Sequence, residues 1–180
     1  MNLPNKITIF RVCMIPFFLA FMLIPGIPGG RYIAAVLFVV AAVSDAVDGH
    51  IARKNNLITN FGKFMDPLAD KLLVCSALIC FVEFGLMPSW IVILIIGREF
   101  IISGFRLVAS DKGVVIAASY WGKFKTTFQI IMCVFLIVHL PYLWFHVLEQ
   151  ILIYISLMLT LILLVDYIVK NRHVLKEETK

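Results

Sequence analysis

Four aspartates stand in two short segments of a very apolar chain, Asp45-x-x-Asp48-Gly49-x-x-Ala52-Arg53 and Gly62-x-x-x-Asp66-x-x-x-Asp70. Ionised groups are costly in such surroundings unless they are paired or metal-bound, so the two segments mark a functional site. On a helix Asp45 and Asp48 are i, i+3 neighbours and Asp66 and Asp70 are i, i+4 neighbours, each pair on one face, so two neighbouring helix ends can converge four carboxylates on one point. All-oxygen donors suit hard divalent cations such as Mg²⁺ or Mn²⁺. Four carboxylates balance two such ions about 3.5–4 Å apart, the arrangement of two-metal phosphoryl chemistry, whose substrates are phosphate esters or anhydrides. Gly49 and Gly62 let a ligand approach the backbone closely, and Arg53 offers a cation where a phosphate would bind. One such Asp would read as a water-facing charge at a membrane boundary; four, with two glycines and an arginine at these spacings, do not.

The elements that must position these residues follow from composition. The 180 residues are 62% hydrophobic and only 15% charged, with a mean hydropathy of +0.99, whereas a soluble domain carries roughly a quarter charged residues. The expected class is an all-α integral membrane protein. Apolar runs of spanning length cover approximately 7–25, 31–50, 65–84, 88–108, 123–142 and 147–169, predicting six transmembrane helices in one bundle, a single domain over 1–180. Turn chemistry separates them: Pro25, Gly26, Pro28, Gly29 and Gly30; Asn55, Asn56 and Asn60; Gly85 and Pro88; Asp111 and Gly113; Pro141. Of the 16 Lys and Arg residues, all but Arg31 fall at the termini or beside the second and fourth connections. That asymmetry places both termini, and the Asp segments with them, in the cytoplasm. Glu83 and Glu149 then lie outside, as does an aromatic group of Tyr142, Trp144 and Phe145 that reads as an interfacial belt. The first apolar run lacks a cleavage pattern and reads as a retained span. Cys13, Cys75, Cys80 and Cys133 have no paired spacing and read as small apolar core residues. The net charge of +5 is better understood by where the charges lie than by its total; the expected partner is the lipid bilayer, and no nucleic acid.

A second constellation is cationic. Arg98 and Arg106 on the fourth helix and Lys123 and Lys125 at the start of the fifth share the cytoplasmic side, where topology alone could explain the lysines. Arg98 is harder to dismiss, although Glu99 can neutralise it, and together the four suggest a pocket for a phosphorylated second substrate. His50, His139, His146 and His173 share no spacing that suggests ligation; His50 reads as solvent-facing. Asn5 and Thr8 either reach a ligand from a short amphipathic N-terminal segment or merely cap it.

The two Asp segments together, with eight residues between Arg53 and Gly62, match without departure the signature D-x-x-D-G-x-x-A-R-x8-G-x3-D-x3-D. In this the chain resembles the CDP-alcohol phosphotransferase family, six-helix membrane enzymes, usually homodimers, that move a phosphatidyl or related group from a CDP-linked donor to an alcohol and release CMP. The resemblance implies that Asp45, Asp48 and Asp66 hold two Mg²⁺ or Mn²⁺ ions, that Asp70 both ligates metal and serves as base on the acceptor hydroxyl, and that Gly49, Ala52 and Gly62 leave room for the cytidine nucleotide. The segments Gly97-Arg98-Glu99-Phe100, Ser103-Gly104-Phe105-Arg106-Leu107 and Gly122-Lys123-Phe124-Lys125-Thr126, with the opening Asn2-Leu3-Pro4-Asn5-x-x-Thr8-x-x-Arg11, resemble the bacterial phosphatidylglycerophosphate-forming members. That implies CDP-diacylglycerol as donor and sn-glycerol 3-phosphate as acceptor, at the cytoplasmic face of a bacterial cell membrane. The physical reading agrees, because an acceptor that is itself a phosphate ester needs a cationic pocket beside the metals. The alternatives are a sister enzyme using inositol phosphate or phosphatidylglycerol, a divalent cation transporter, and a membrane scaffold. Transport sites usually lie near the bilayer midplane on broken helices, and a scaffold leaves the four acids unexplained.

Overall fold

The computed structural model describes residues 3–54, 60–111 and 120–171, without the side chains of residues 3–5, 45–54, 60–64, 66, 67, 70, 110, 111, 120, 121 and 123. The described residues form six α-helices and no strand: α1 (Leu3–Leu23), α2 (Gly30–Lys54), α3 (Asn60–Glu83), α4 (Ser89–Asp111), α5 (Tyr120–Val138) and α6 (Leu143–Lys170). No separate amphipathic segment precedes α1 among them; the residues that suggested one are its first turns. The second and third helices reach deeper into the connection than the apolar runs alone indicated, so both Asp segments lie within continuous helix.

Two of the turns show why these boundaries fall where they do. After α3 the chain closes a Schellman motif: Gly85 N donates to Val82 O at 3.0 Å and Leu86 N to Phe81 O at 2.8 Å. Gly85 takes the left-handed conformation that motif needs, with φ 66°, where a side chain would be strained. At the start of α2 Gly30 is demanded by space instead, since a Cβ there would sit 2.8 Å from the carbonyl oxygen of Phe21.

Each helix buries one stripe at helical spacing. On α1 it is Thr8, Arg11, Ile15, Phe18 and Met22; on α2, Ala34, Phe38 and Ala41; on α4, Ile91, Ile95, Arg98, Ile102, Phe105 and Ala109; on α5, Lys125, Gln129, Met132 and Leu136. On α6 it is Phe145, Glu149, Leu152, Ser156 and Thr160. Most of these residues meet in one apolar core to which all six helices contribute, while Phe105 and Ala109 form a smaller cluster with Tyr167. The outward faces are also apolar, with Phe17, Val36, Ile93, Leu107, Met158 and Val165 all more than half exposed. Two helices, α1 over Lys6–Leu23 and α6 over Leu143–Lys170, are long and apolar enough to cross a membrane by length and composition.

Side-chain contacts fix which helix ends lie together. Arg31 at the start of α2 stacks over Phe84 just past the end of α3, 5.2 Å from the ring centroid, and Phe135 near the end of α5 stacks on Phe145 at the start of α6 at 5.2 Å. Lys71 of α3 reaches Ser103 of α4, Glu99 of α4 reaches Lys125 of α5, and Phe105 of α4 packs edge-on against Tyr167 of α6 at 5.6 Å. Consecutive helices are therefore antiparallel, and the packed pair α4 and α6 runs parallel. The Asp-bearing parts of α2 and α3 lie at the same end of the bundle as the close of α4, the start of α5 and the close of α6.

Candidate active site

Both acidic segments ride on helices whose lower turns are anchored in the core. Asp45 and Asp48 continue α2 directly from the buried stripe of Ala34, Phe38 and Ala41, and Asp66 and Asp70 lead α3 into Ala69, Leu73 and Ala77. Their carboxylates lie outside the described residues, as do the side chains of Ala52, Arg53 and Asn5 and the surroundings of Gly49 and Gly62. What the backbone does establish is the helical register of each pair, one turn apart on a rigid element.

One residue beyond Asp70 the described site begins. The Lys71 ammonium donates to the Ser103 hydroxyl, which in turn donates to the Glu99 backbone carbonyl at 2.6 Å. Glu99 is the hub of the cluster. Its Oε1 accepts from Arg98 Nη1 at 2.9 Å and from Lys125 Nζ, and Lys125 is almost wholly buried, its side chain 2% exposed. Two cations, Arg98 and Lys125, thus share one carboxylate, with Lys71 tied to the same turn of α4 through Ser103, leaving a net positive site in surroundings that screen charge poorly. A small cavity of about 30 Å³ opens between α3, α4 and α5, lined by Lys71, Glu99, Lys125, Thr126 and Gln129 on its polar side and by Val74, Leu78, Ile95 and Ile96 on its apolar side. Such a volume holds only about one or two waters. Arg98 Nε and Gln129 Nε2 are buried nearby without a protein partner, and buried donors of that kind are normally matched by water or ligand.

The expected cationic group is only partly assembled. Arg98 and Lys125 meet at Glu99, while Arg106 lies apart, exposed, with its guanidinium over the Tyr167 ring at 5.8 Å from the centroid. Arg106 is eight residues beyond Arg98, a displacement of about 80° around the helix, enough to direct it to α6 rather than α5. Lys123 lies outside the described side chains. Thr8 is fully buried on α1, at the end of the bundle that holds the Asp segments, and so is Arg11, which lysine and arginine counting treated only as a topological charge.

Comparison with known proteins bears on what this arrangement is. The family profile described as CDP-alcohol phosphatidyltransferase matches residues 1–162. The chain belongs to the CDP-alcohol phosphatidyltransferase family. Among relatives named CDP-diacylglycerol–glycerol-3-phosphate 3-phosphatidyltransferase, that of Bacillus subtilis (strain 168) is 51% identical over 153 residues, covering 78% of this chain and 79% of the relative. That of Haemophilus influenzae is 43% identical over 135 residues, 72% of each chain, and that of Escherichia coli (strain K12) is 38% identical over 173 residues, 93% of each.

Within a CDP-alcohol phosphatidyltransferase, two features of this chain escaped the reading of its sequence. Lys71 was counted as a charge flanking a connection, yet its place immediately after Asp70 was a signal that it belongs with the site. His139, His146 and Glu149, which showed no common spacing, come together at the opposite end of the bundle. Phe145, expected in an interfacial belt, is buried and 5% exposed, while Tyr142 and Trp144 remain outside at 54% and 63%.

Proposed function

We propose that this chain transfers the phosphatidyl group of CDP-diacylglycerol to sn-glycerol 3-phosphate, forming phosphatidylglycerophosphate and releasing CMP. The observation that carries the reading is the gathering, at one end of the bundle, of the two Asp-bearing helices and the Lys71–Ser103–Glu99–Lys125–Arg98 network. An acid site for a diphosphate donor thereby adjoins a net cationic site for a phosphorylated acceptor, and the names of the relatives point to the same pair of substrates.

The donor set fits hard divalent cations, since both segments offer carboxylate oxygens spaced one turn apart on continuous helices. Asp45, Asp48, Asp66 and Asp70 would hold two Mg²⁺ or Mn²⁺ ions. When bound, such ions supply neutralisation of the diphosphate and of the departing CMP. Asp70 takes the proton of the acceptor hydroxyl as its oxygen bonds to the phosphatidyl phosphorus and the anhydride bond to CMP breaks. Arg98 and Lys125 grip the acceptor phosphate, exchanging part of their pairing with Glu99 for it, and Lys71 adds a third positive charge at the mouth. Gly49, Ala52 and Gly62 leave room for the cytidine nucleotide, Arg53 serves the donor diphosphate, and Asn5 and Thr8 of α1 belong to the donor side of the site.

All six helices span the bilayer as one domain over 1–180, with both termini and the acidic end in the cytoplasm of a bacterial cell. The apolar outward faces support this, as does the confinement of every Lys and Arg except Arg31 to one side. The acyl chains of the donor then stay in the bilayer while glycerol 3-phosphate arrives from water. The active form is a homodimer, as the family resemblance implies.

The decisive experiment measures CMP release by purified protein from CDP-diacylglycerol with glycerol 3-phosphate, inositol phosphate, serine or phosphatidylglycerol in turn. Release with glycerol 3-phosphate alone is expected. Turnover with a different acceptor would reassign the chain within its family, and none with any acceptor would overturn the catalytic reading.

A further inference from the structure

The end of the bundle farthest from the aspartates carries its own cluster of ligating groups. The Glu149 carboxylate, 3% exposed, has two imidazoles as its partners. His139 Nδ1 lies 2.9 Å from its Oε1 and 3.0 Å from its Oε2, and His146 Nδ1 lies 3.2 Å from Oε2. The two rings are 4.6 Å apart, centre to centre, and one ligand atom from each of the three residues lies within 4.8 Å of the others.

We propose that His139, His146 and Glu149 form a binding site for one divalent ion of the zinc class, which clamps the turn between α5 and α6. Two imidazoles and one carboxylate are a donor set that Zn²⁺ takes with a fourth position left to water, and imidazole selects it over Mg²⁺ or Ca²⁺. A four-coordinate ion with bonds of about 2.0–2.2 Å sets its ligands about 3.3–3.6 Å apart. The N···O distances already present need to open by only a few tenths of an ångström. The fourth position has access to water because the His146 side chain is 42% exposed.

Backbone geometry supports the same assignment. His139 is the one non-glycine with positive φ among the described residues, at 43°. It stands where α5 ends, its N–H bonded to Phe135 O at 2.9 Å, at a position where glycine or asparagine is usual. That conformation is uncommon for a residue with a β-carbon, histidine being one of those that adopt it most readily, and here it goes with an imidazole turned back toward α6. His146 and Glu149 are i, i+3 on the first turns of α6 and so share a face. A buried carboxylate placed against two histidines, one of them in an uncommon backbone conformation, is an arrangement that a metal ion rewards and that a plain helix–helix contact does not require. The site is remote from the aspartates and has no part in transfer.

The test uses the full-length protein in detergent with saturating Mg²⁺, so that the aspartates are occupied. Zn²⁺ is titrated calorimetrically and Co²⁺ by its visible absorption. Wild type should bind one equivalent of Zn²⁺ and give a Co²⁺ spectrum of four-coordinate intensity. His146→Ala and Glu149→Gln should each weaken binding by at least roughly the 10–100-fold that even outer-shell changes cost a metal site. Zn²⁺ should also raise the Tm of wild type and leave that of His146→Ala unmoved, with transferase activity in Mg²⁺ unchanged by that substitution. Binding that is equal in wild type and His146→Ala, or no Zn²⁺ bound by wild type under these conditions, overturns the proposal and leaves the cluster a hydrogen-bonded His–Glu contact. Because His146 is part-exposed, its alanine variant folds and keeps the test decisive even where Glu149→Gln does not.

Discussion

At the scale of single residues, the proposed function divides the site into groups that bind and a group that moves a proton. Asp45→Asn should abolish turnover together with metal-dependent binding of the donor, whereas Asp70→Asn should retain donor binding and lose at least about 10²-fold in rate, the usual scale for removal of a general base. Donor binding by equilibrium dialysis beside CMP release separates the two; near-normal turnover in Asp70→Asn would demand another base. Activity should also vanish in excess chelator and return with Mg²⁺ or Mn²⁺, and full activity in metal-free buffer would remove the metal from the mechanism. On the cationic side the structure shifts attention from Arg106, which lies on Tyr167, to Lys125 and Arg98. Lys125→Ala deletes a charge-assisted contact worth about 1.5–3 kcal/mol, so KM for glycerol 3-phosphate should rise roughly tenfold to a hundredfold while that for CDP-diacylglycerol stays nearly constant. Equal changes in both would make Lys125 a structural partner of Glu99 only. The Asp pattern was legible because its meaning lies in local spacing. The partnership of Lys125 with Glu99, 26 residues apart, depends on how two helices meet, and no single segment encodes that.

At the scale of elements, the four aspartates stand on helices that are continuous with the core. The α2 stripe of Ala34, Phe38 and Ala41 fixes the rotation of that helix, and Asp45 and Asp48 inherit it. Inserting one alanine between Ser44 and Asp45 rotates everything beyond by about 100°. Turnover should fall by at least about 10²-fold, the cost of misplacing reacting groups, in protein whose helicity by circular dichroism is unchanged. Retained activity would mean that the segment is positioned by other contacts. The six helices and their order were readable from apolar runs and turn residues. Their ends were not. An apolar run starting near 147 hid the first turn of α6, which begins at Leu143, and with it the fact that His146 and Glu149 share a helical face. The left-handed backbone at His139 was not legible, because a histidine adopts that conformation more readily than most residues yet only in a small minority of cases.

At the scale of the whole molecule, the bundle has, among the described residues, one basic end, one end with Arg31 as its single Lys or Arg, and an apolar girdle between. In a variant whose Cys13, Cys75, Cys80 and Cys133 are replaced by serine, Pro28→Cys should react with a membrane-impermeant thiol reagent in intact cells, and Lys176→Cys only after permeabilisation. The reverse pattern would invert the proposed orientation. Glu99 and its cations, finally, reside on α4 and α5, whereas the aspartates belong to α2 and α3, a pair packed closely by α1. On the proposed reading, donor chemistry and most of acceptor choice are therefore carried by different stretches of chain, which meet at Lys71. A descendant lineage could exchange its alcohol by rewriting residues 98–129, leaving the phosphoryl-transfer half untouched, so the family's diversity of products has a seam in the fold along which to arise.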